Sequence, residues 1–307
     1  MKEINYSFII PHKNIPRLLQ RCLDSIPCRE DIQIIVVDDN SSSDKVDFEH
    51  FPGINRPNVE VYFTKEGRGA GYARNVGLEH VKGKWVLFAD ADDFFTDKLE
   101  VLLAEHINSY FDIIYFEVTS VDSDTLLPSD RGEPINKMIR EAVAANDYDA
   151  IKYRRLEPWA KMFSHNFITE YSLKFDETIA ANDLMFSVCA AYNASNIWVD
   201  LRPIYCLTAR YGSIAHTISN DVCEAKLLVV LKLNDFLLHI NKFQYRANVF
   251  HYVWVFHYIS YSKMFCKFRQ AFVQTHHWSV FGDFFYYLCF LMKNMFKKES
   301  PLVKIYK

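Results

Sequence analysis

The chain has 307 residues, half of them hydrophobic, and a formal net charge of -3 at pH 7. This composition is typical of a folded chain and excludes an intrinsically disordered one. The net negative charge argues against a basic protein that coats nucleic acid, so we expect no nucleic-acid partner.

The first half of the sequence alternates predicted strands and helices. Short apolar, β-branched runs predict strands at 6–10, 32–37, 59–63, 85–88 and 113–116. Apolar residues at helical spacing predict helices at 15–26, 71–81 and 99–107. Strands with little polar alternation are typical of a sheet covered on both faces. We therefore predict an α/β fold with a Rossmann-like, mostly parallel sheet and helices on both faces.

The pattern loosens after residue 120. Residues 122–136 are rich in Asp, Ser, Pro and Gly and predict a surface loop. A helix is predicted at 183–192 with Asn182 as its N-cap, followed by a strand at 204–207. Aromatic helices are predicted at 227–238 and 250–268. We divide the sequence into an α/β domain at 1–215 and a helical, aromatic and basic C-terminal region at 216–307.

The seven cysteines are scattered and form no C-x-x-C pair. We therefore expect reduced thiols in a cytoplasmic protein, with neither a zinc site nor a disulfide framework. The N-terminus leads directly into a strand, so we expect no signal peptide. The longest wholly apolar run, Phe284–Met292, is too short to cross a bilayer.

Polar clusters follow three of the predicted strands where each strand ends. They are Pro11-His12-Lys13-Asn14, Asp38-Asp39-Asn40 and Asp90-Ala91-Asp92-Asp93. In open parallel sheets, ligands bind outside the carboxyl ends of the strands. The three clusters therefore predict one ligand site at one edge of the sheet.

Asp90 and Asp92 are two residues apart just after a buried strand, so both can face one ligand across a turn. Mg²⁺ and Mn²⁺ commonly take one or two carboxylates together with substrate phosphate and water. We therefore expect either metal here, neutralising a diphosphate as a Lewis acid. The alternative interpretation is a solvated acidic turn before the helix that starts near Thr96.

Asp38 and Asp39 end the second strand, where a carboxylate can accept a hydrogen bond from a nucleobase or a ribose hydroxyl. The alternative is a simple turn built around Asn40. Gly67-Arg68-Gly69-Ala70-Gly71 opens the next helix, an arrangement that attracts phosphate. A dinucleotide-binding motif would need G-x-G-x-x-G directly after the first strand, so the sequence does not favour a dehydrogenase.

Four segments in this order resemble the family 2 glycosyltransferases of the GT-A fold: Phe8–Asn14, Ile35–Ser41, Gly71–Gly77 and Gly83–Asp93. The resemblance covers the first third of the chain. It implies an inverting transferase that uses a nucleotide-diphosphate sugar. It places Pro11 and Asp39 at the nucleoside and Arg74 on the nucleotide side. It also makes Asp90 and Asp92 a D-x-D motif, with Asp92 nearest the metal.

The second half extends the resemblance. Phe175–Asp183 resembles the segment where the family has a Glu-Asp pair before a helix, and the Asp of that pair, the catalytic base, corresponds to Asp183. Asn182 stands where Glu is common, which weakens the motif. The alternative role for Asp183 is to complement the helix dipole, and Glu177 is the second candidate base.

Two further segments resemble bacterial surface-polysaccharide members of the family. Pro158-Trp159-Ala160-Lys161 corresponds to an acceptor-side stretch, and Tyr211–His216 to a loop in which His216 could reach metal or diphosphate. The alternative for His216 is an ordinary surface or core histidine. The Q-x-x-R-W motif of the processive synthases is absent, so we expect transfer of a single sugar.

The C-terminal segment combines aromatic and basic residues. Residues 263–307 contain eight Lys and Arg against two Asp and Glu. Such a helix can lie in a membrane interface, which would suit a lipid-linked glycan acceptor and a peripheral location on the inner face of the membrane. The alternatives are a helix packed on the rest of the chain and a dimer contact.

The sequence therefore predicts transfer of one sugar, UDP-linked, to a hydroxyl of a glycan or lipid-linked glycan in polysaccharide biosynthesis. A nucleotidyltransferase is the second enzyme class, but it would carry a Gly-rich basic loop where residues 11–14 lie. A nucleotide-binding protein without catalysis is the non-enzymatic alternative, and only Asn182 favours it.

Overall fold

The computed structural model describes residues 3–209 and 218–274, with residues 282 and 284. The chain divides into two compact units. The larger unit comprises Met1–Thr178 and Asn182–Arg210, and the smaller unit comprises Ile179–Ala181 and Tyr211–Lys307.

The larger unit is built on one sheet of eight strands in the order β3-β2-β1-β4-β7-β6-β8-β5. The strands are β1 (Tyr6–His12), β2 (Ile32–Asp39), β3 (Val59–Thr64), β4 (Trp85–Phe88), β5 (Phe94–Phe95), β6 (Ile113–Asp122), β7 (Lys161–Ser164) and β8 (Ile197–Ala209). The sheet is mixed, because β7 is antiparallel to both of its neighbours and β5 is antiparallel to β8.

Helices cover both faces of the sheet, as the sequence predicts. They are α1 (Pro16–Asp24), α2 (Ala70–Leu78), α3 (Leu99–His106), α4 (Glu133–Ala144), α5 (Tyr148–Arg154), α6 (His165–Glu170) and α7 (Leu184–Asn193). On one face α1 and α3 bury Leu19 and Leu102 in one apolar cluster. On the other face, residues of α2, α4 and α7, including Ala73, Ile139 and Phe186, form a second cluster.

The strand register brings the three polar clusters to one edge of the sheet. β1 runs parallel to β2 and β4, with His12 beside Asp38 and Ile9 beside Phe88. The turn that begins at Asp90 follows β4 two residues after Phe88. The carboxyl ends of these strands therefore lie together, and the predicted convergence is confirmed.

Four elements of the larger unit, β6, β8, α4 and α7, differ from the sequence prediction. β6 and β8 are longer than predicted and pair in parallel, with register shifts around Glu117. Both strands contain polar residues, and the sequence prediction recognised strands only as unbroken apolar runs. The polar parts of β6 and β8 were therefore not predicted. Helix α4 begins at Glu133, inside the predicted loop. Asn182 is not the N-cap of α7, because Asp183 occupies that position and the Asn182 side chain bonds a buried guanidinium instead.

The described part of the smaller unit contains α8 (Asn220–His239), α9 (Val249–Trp254) and α10 (Tyr261–Gln274), with 3₁₀ turns at Phe243–Tyr245 and Val255–Tyr258. The predicted single helix over 250–268 was therefore wrong. Its β-branched and aromatic residues have modest helix propensity, and apolar spacing does not reveal such a break. Within the described residues, no helix combines the length and apolarity needed to cross a membrane.

Candidate active site

Asp39, at the end of β2, presents one engaged and one unengaged carboxylate oxygen. Its Oδ2 accepts the Gly69 backbone N–H at 2.8 Å and lies 3.5 Å from Lys13 Nζ. Its Oδ1 is buried and has no hydrogen-bond partner. Gly69 makes this contact with φ at 93°, a left-handed conformation that favours glycine. A buried, unpaired carboxylate oxygen is costly, so it fits a ligand N–H or O–H.

The neighbouring Asp38 has a structural role. Its Oδ2 accepts the Nδ1–H of His12 at 2.7 Å, and both oxygens bond Ser41. The Ile15 N–H donates to His12 Nε2, which assigns the ring proton to Nδ1. Burial raises the pKa of Asp38, but the hydrogen bonds from His12 and Ser41 outweigh it and the pKa is lowered. Asp38 is therefore engaged within the turn, whereas Asp39 keeps one buried oxygen without a hydrogen-bond partner.

Pro11 is the second-to-last residue of β1, at this edge of the sheet. It is buried in β1 and pairs in register with Val37. Its ring gives the β1–β2 end a fixed backbone without an N–H donor. Pro11 thus lies at the same end of the sheet as Asp39, which follows Val37 by two residues on β2.

Arg74, on α2, joins the acidic turn to the segment before α7. Its Nη2 donates to Asp90 Oδ1 at 2.6 Å and its Nη1 donates to Asn182 Oδ1 at 2.8 Å. The guanidinium is 5.2 Å from the centroid of the Phe175 ring and is almost fully buried. Arg74, Asp90 and the segment containing Asp183 are thus brought together, as the sequence predicts.

The backbone of the acidic turn is fastened to β8. Tyr205 Oη accepts the Asp90 N–H at 2.9 Å, and Thr208 Oγ1 donates to the Asp92 carbonyl at 2.8 Å. From the other side, Arg21 donates to the same Asp92 carbonyl at 2.7 Å. These bonds use backbone atoms, so the partly exposed side chains of Asp90 and Asp92 remain oriented by a rigid turn.

Asp93 is the buried member of the acidic run. Its Oδ1 accepts the Thr208 N–H at 2.7 Å. Burial, together with the negative charges of Asp92 and Asp90, raises the pKa of Asp93 well above its usual range. Asp93 therefore anchors the turn. The partly exposed carboxylates of Asp90 and Asp92 add negative charge close to it.

The residues of this turn fit a divalent metal. Asp90 and Asp92 supply carboxylate oxygens, the ligand type that Mg²⁺ and Mn²⁺ favour, and the crowded negative charge would be relieved by a cation. Within the described part of the chain, no group of three or more His, Cys, Asp or Glu side chains is placed to hold a metal. Mg²⁺ commonly completes its coordination with substrate phosphate and water.

The segment before α7 is held tightly against α2. Asn75 accepts the Phe175 N–H at 2.8 Å and donates to the Phe175 carbonyl at 3.0 Å. A Cβ at Gly71 would lie 2.1 Å from the Asp176 carbonyl oxygen, so only glycine permits this approach. The two contacts fix where α7 begins and thus where Asp183 sits.

Asp183 is the N-cap residue of α7, yet its side chain makes no capping hydrogen bond. Burial raises its pKa to about 6, while the nearby charge of Arg74 acts to lower it. A carboxylate with this pKa accepts a proton more readily than an ordinary aspartate near neutral pH. Glu177, the second candidate base, instead forms an ion pair with Arg68.

Two buried cations lie in and next to the predicted acceptor-side stretch: Lys161 ends the stretch at 158–161, and Arg155 precedes it. Arg155 Nη1 donates to Glu157 at 2.7 Å, and its guanidinium lies 4.8 Å from the centroid of the Trp159 ring. Lys161 donates to the Arg155 carbonyl, and burial and the Arg155 charge lower the pKa of Lys161 well below its usual range. Glu157 and Asp183 oppose that lowering, which places this cluster within electrostatic range of Asp183.

Several of these contacts were not found from the sequence. Tyr205 lies in the predicted strand at 204–207 and Thr208 directly follows it, but no sequence pattern links either residue to the acidic turn. Arg155 lies in a segment with no recognised pattern. The only signal available was the aromatic and basic composition of residues 156–167. His216 and the 211–216 loop lie outside the described residues, as does most of the basic C-terminal tail.

Comparison with known proteins decides the family. A family model described as "Glycosyl transferase family 2" matches residues 7–176, more than half of the chain. The chain belongs to glycosyltransferase family 2. The matched range contains the Asp39, Arg74 and Asp90 positions described above and ends just before Asp183.

Bacterial glycosyltransferases are similar to this family 2 chain over part of its length. Poly(ribitol-phosphate) beta-N-acetylglucosaminyltransferase TarS of Staphylococcus aureus is 24% identical over 241 residues, covering 75% of this chain and 40% of TarS. Glycosyltransferase GlyA of Streptococcus pneumoniae is 32% identical over 109 residues, 34% of this chain and 15% of GlyA. The chain thus spans less than half the length of these relatives.

Solved structures show the same fold. The crystal structure of S. aureus TarS 1–349 in complex with UDP-GlcNAc matches with a TM-score of 0.56 and 22% identity. The match covers 75% of this chain and 67% of that one. The GT-A fold predicted from the sequence is confirmed.

Proposed function

We propose that this family 2 glycosyltransferase transfers one sugar from a UDP-sugar donor to a hydroxyl of a glycan, with inversion at the anomeric carbon. The observation that carries the proposal is that Arg74 bonds both Asp90 and Asn182, the residue before Asp183, while Asp39 at the same sheet edge accepts the Gly69 N–H and keeps its other oxygen unpaired. A structure of TarS, which shares the fold, is a complex with UDP-GlcNAc.

The donor nucleotide would lie between Pro11 and Arg74. The unpaired Asp39 Oδ1 suits an N–H of the nucleobase. Arg74 is held near Asp90 by a 2.6 Å hydrogen bond, so its positive charge lies beside the place for the diphosphate. A fixed cation there stabilises negative charge that develops on the leaving group.

Asp90 and Asp92 would hold Mn²⁺ or Mg²⁺ together with the donor diphosphate. When bound, the metal supplies Lewis-acid neutralisation of the leaving diphosphate. Tyr205 fixes the Asp90 backbone, and Arg21 and Thr208 fix that of Asp92, so the two carboxylates need little reordering to accept the ion.

Asp183 would act as the general base. It takes the proton of the acceptor hydroxyl as that oxygen bonds to the anomeric carbon, and the bond from this carbon to the diphosphate oxygen breaks on the opposite face. The products are the new glycoside and the nucleoside diphosphate. A pKa of about 6 leaves Asp183 mostly ionised at neutral pH while keeping it a stronger base than a solvent-exposed aspartate.

The acceptor would be a glycan or a lipid-linked glycan in polysaccharide biosynthesis. It would enter over the segment containing Glu157 and Trp159, which lies within electrostatic range of Asp183. We also propose a cytoplasmic enzyme that contacts the membrane surface through its basic C-terminal region. Flotation with anionic vesicles, compared with neutral vesicles, tests that contact.

Donor binding and turnover test the proposal. Thermal shifts are measured with UDP, GDP, CMP and dTDP, each with and without Mn²⁺, on wild type and Asp92→Ala, followed by UDP release from UDP-sugars. We expect stabilisation by UDP that requires the metal and is lost in Asp92→Ala. Absence of any nucleotide-dependent shift, together with no UDP release, would contradict the proposed function.

A further inference from the structure

Lys13, in the first polar cluster, lies beside Asp39 but has no role in the donor site described above. It follows β1 directly, with an exposed side chain. Its Nζ lies 3.5 Å from Asp39 Oδ2, a separation too long for a strong hydrogen bond. The ammonium is therefore held near Asp39 by charge while keeping hydrogen-bonding capacity for another partner.

Asp39 itself is only half used. Its Oδ2 receives the Gly69 N–H at 2.8 Å, whereas its buried Oδ1 receives nothing. The side chain of Lys13 is 49% exposed and that of Asp39 is 4% exposed. The half-exposed Lys13 ammonium thus lies beside the buried Asp39 carboxylate, whose Oδ1 can still accept a hydrogen bond. A long, half-exposed lysine side chain can change its rotamer without disturbing the fold.

The loop before α2 approaches this pair with a residue that has no side chain. Gly67 adopts φ of 62°, a left-handed conformation that favours glycine. A Cβ there would lie 3.6 Å from Lys13 Nζ and 3.5 Å from Asn40 Nδ2, so glycine adds no side-chain atoms of its own next to Lys13.

We propose that Lys13 is a second nucleobase-reading residue, which donates to a ring carbonyl next to the N–H that Asp39 accepts. The pair offers an acceptor and a donor side by side, which complements the N–H and C=O of an imide such as the one in uracil. The inference rests on the proposed use of a UDP-sugar and assigns the uracil end of the donor to a specific side-chain pair.

The alternative partner for Lys13 is phosphate, since lysine also binds phosphate as a point charge. The two possibilities make opposite predictions for ligands that contain only one part of the donor. If Lys13 contacts the base, its replacement should weaken the binding of uridine, which has no phosphate. A phosphate contact affects inorganic pyrophosphate, which has no base.

The experiment measures dissociation constants of uridine, UDP and pyrophosphate by calorimetry, with Mn²⁺ present, for wild type, Lys13→Met and Lys45→Met. Lys45 is a matched control, an exposed lysine 3.6 Å from Asp44 in the neighbouring turn. We expect Lys13→Met to weaken uridine and UDP by about tenfold, the effect of one charged hydrogen bond. Pyrophosphate binding and the Lys45→Met affinities should stay at wild-type values.

Base analogues locate the contact. 3-Methyluridine removes the N–H, and 2-thiouridine and 4-thiouridine each weaken one carbonyl acceptor. Wild type should lose affinity for 3-methyluridine and for one thio analogue, whereas Lys13→Met should no longer distinguish that thio analogue from uridine. Equal uridine affinity in wild type and Lys13→Met, or a parallel loss for pyrophosphate, would overturn the inference. Failure of wild type to bind both uridine and UDP would instead contradict the proposed donor.

Discussion

Arg74 Nη2 donates a 2.6 Å hydrogen bond to Asp90 Oδ1, the first carboxylate of the acidic turn. The same guanidinium holds Asn182, the residue directly before Asp183. One buried side chain therefore sets the spacing between the proposed metal site and the proposed base. A neutral amide at position 182 accepts this hydrogen bond without cancelling the charge of Arg74.

Exchange of that amide for a carboxylate should shift the pH dependence. In Asn182→Glu, a new negative charge beside Asp183 would offset the Arg74 charge that lowers the Asp183 pKa. The pH midpoint of kcat/KM should therefore rise relative to wild type. Asn182→Gln, which keeps the amide, is the control and should leave the midpoint in place; a rise in both variants would point to altered packing.

The wild-type pH profile follows from the Asp183 environment. A general base acts when deprotonated, and burial raises the pKa of Asp183 from 3.8 to about 6. Activity should therefore rise with pH through a midpoint near that value and be lost below it. Steady-state rates between pH 4.5 and 8 measure this limb. An activity plateau that extends down to pH 4.5 would mean that Asp183 is not the base.

Removal of the proposed base should separate catalysis from folding. Asp183→Asn should lower kcat by about 10²–10⁴-fold. Its melting temperature should change little, because the side chain makes no capping hydrogen bond. Asp147→Ala is the matched control, since Asp147 caps α5 through Ala150 N–H; it should lose about 1 kcal/mol of stability and retain wild-type kcat.

Gly71 is expected to tolerate no side chain. A Cβ would lie 2.1 Å from the Asp176 carbonyl oxygen and 2.9 Å from Asn182 Cβ, so Gly71→Ala should push the Asp183 segment away from α2. We expect a stability loss of about 1–3 kcal/mol and a large fall in kcat. Gly77→Ala crowds the Ile9 side chain instead and should lose stability without the specific catalytic defect.

Tyr205, whose hydroxyl accepts the Asp90 N–H, should affect donor binding. Tyr205→Phe leaves the Asp90 N–H without its 2.9 Å partner, which costs about 1–3 kcal/mol. The freed turn should also weaken metal-dependent UDP binding. Tyr6→Phe is the comparison, because it removes another buried tyrosine hydroxyl, bonded to the Leu103 carbonyl. Tyr6→Phe should lower the free energy of unfolding by a similar amount and leave the affinity for UDP unchanged.

The parallel half of the sheet was predictable because its strands are unbroken apolar runs with polar residues at their ends. The same arrangement predicts that Asp39 and Asp90 lie at one edge of the sheet. β6 and β8 were predicted only in part because polar residues such as Glu117 and Asp200 interrupt them. These buried carboxylates have partners distant in sequence, Arg140 for Glu117 and His106 for Asp200.

Side-chain roles within the site were predictable only in part. The sequence could not divide the Asp38-Asp39 pair, because that division depends on His12 and Ser41, which reach Asp38 through the fold. Similarly, nothing local marks Asn182 as a partner of Arg74, 108 positions away along the chain. Such contacts depend on how α2 packs against the segment before α7.

The bonds from Tyr205 and Thr208 to the acidic turn have a practical consequence for fragment design. The family match ends at residue 176, yet the turn that begins at Asp90 is secured by β8, which runs to Ala209. A chain truncated at residue 176 would keep every motif residue of the donor site. It would lose the hydrogen bonds by which Tyr205 and Thr208 hold the acidic turn. Expression of the transferase unit, or its grafting into a chimera, must therefore extend through the end of β8.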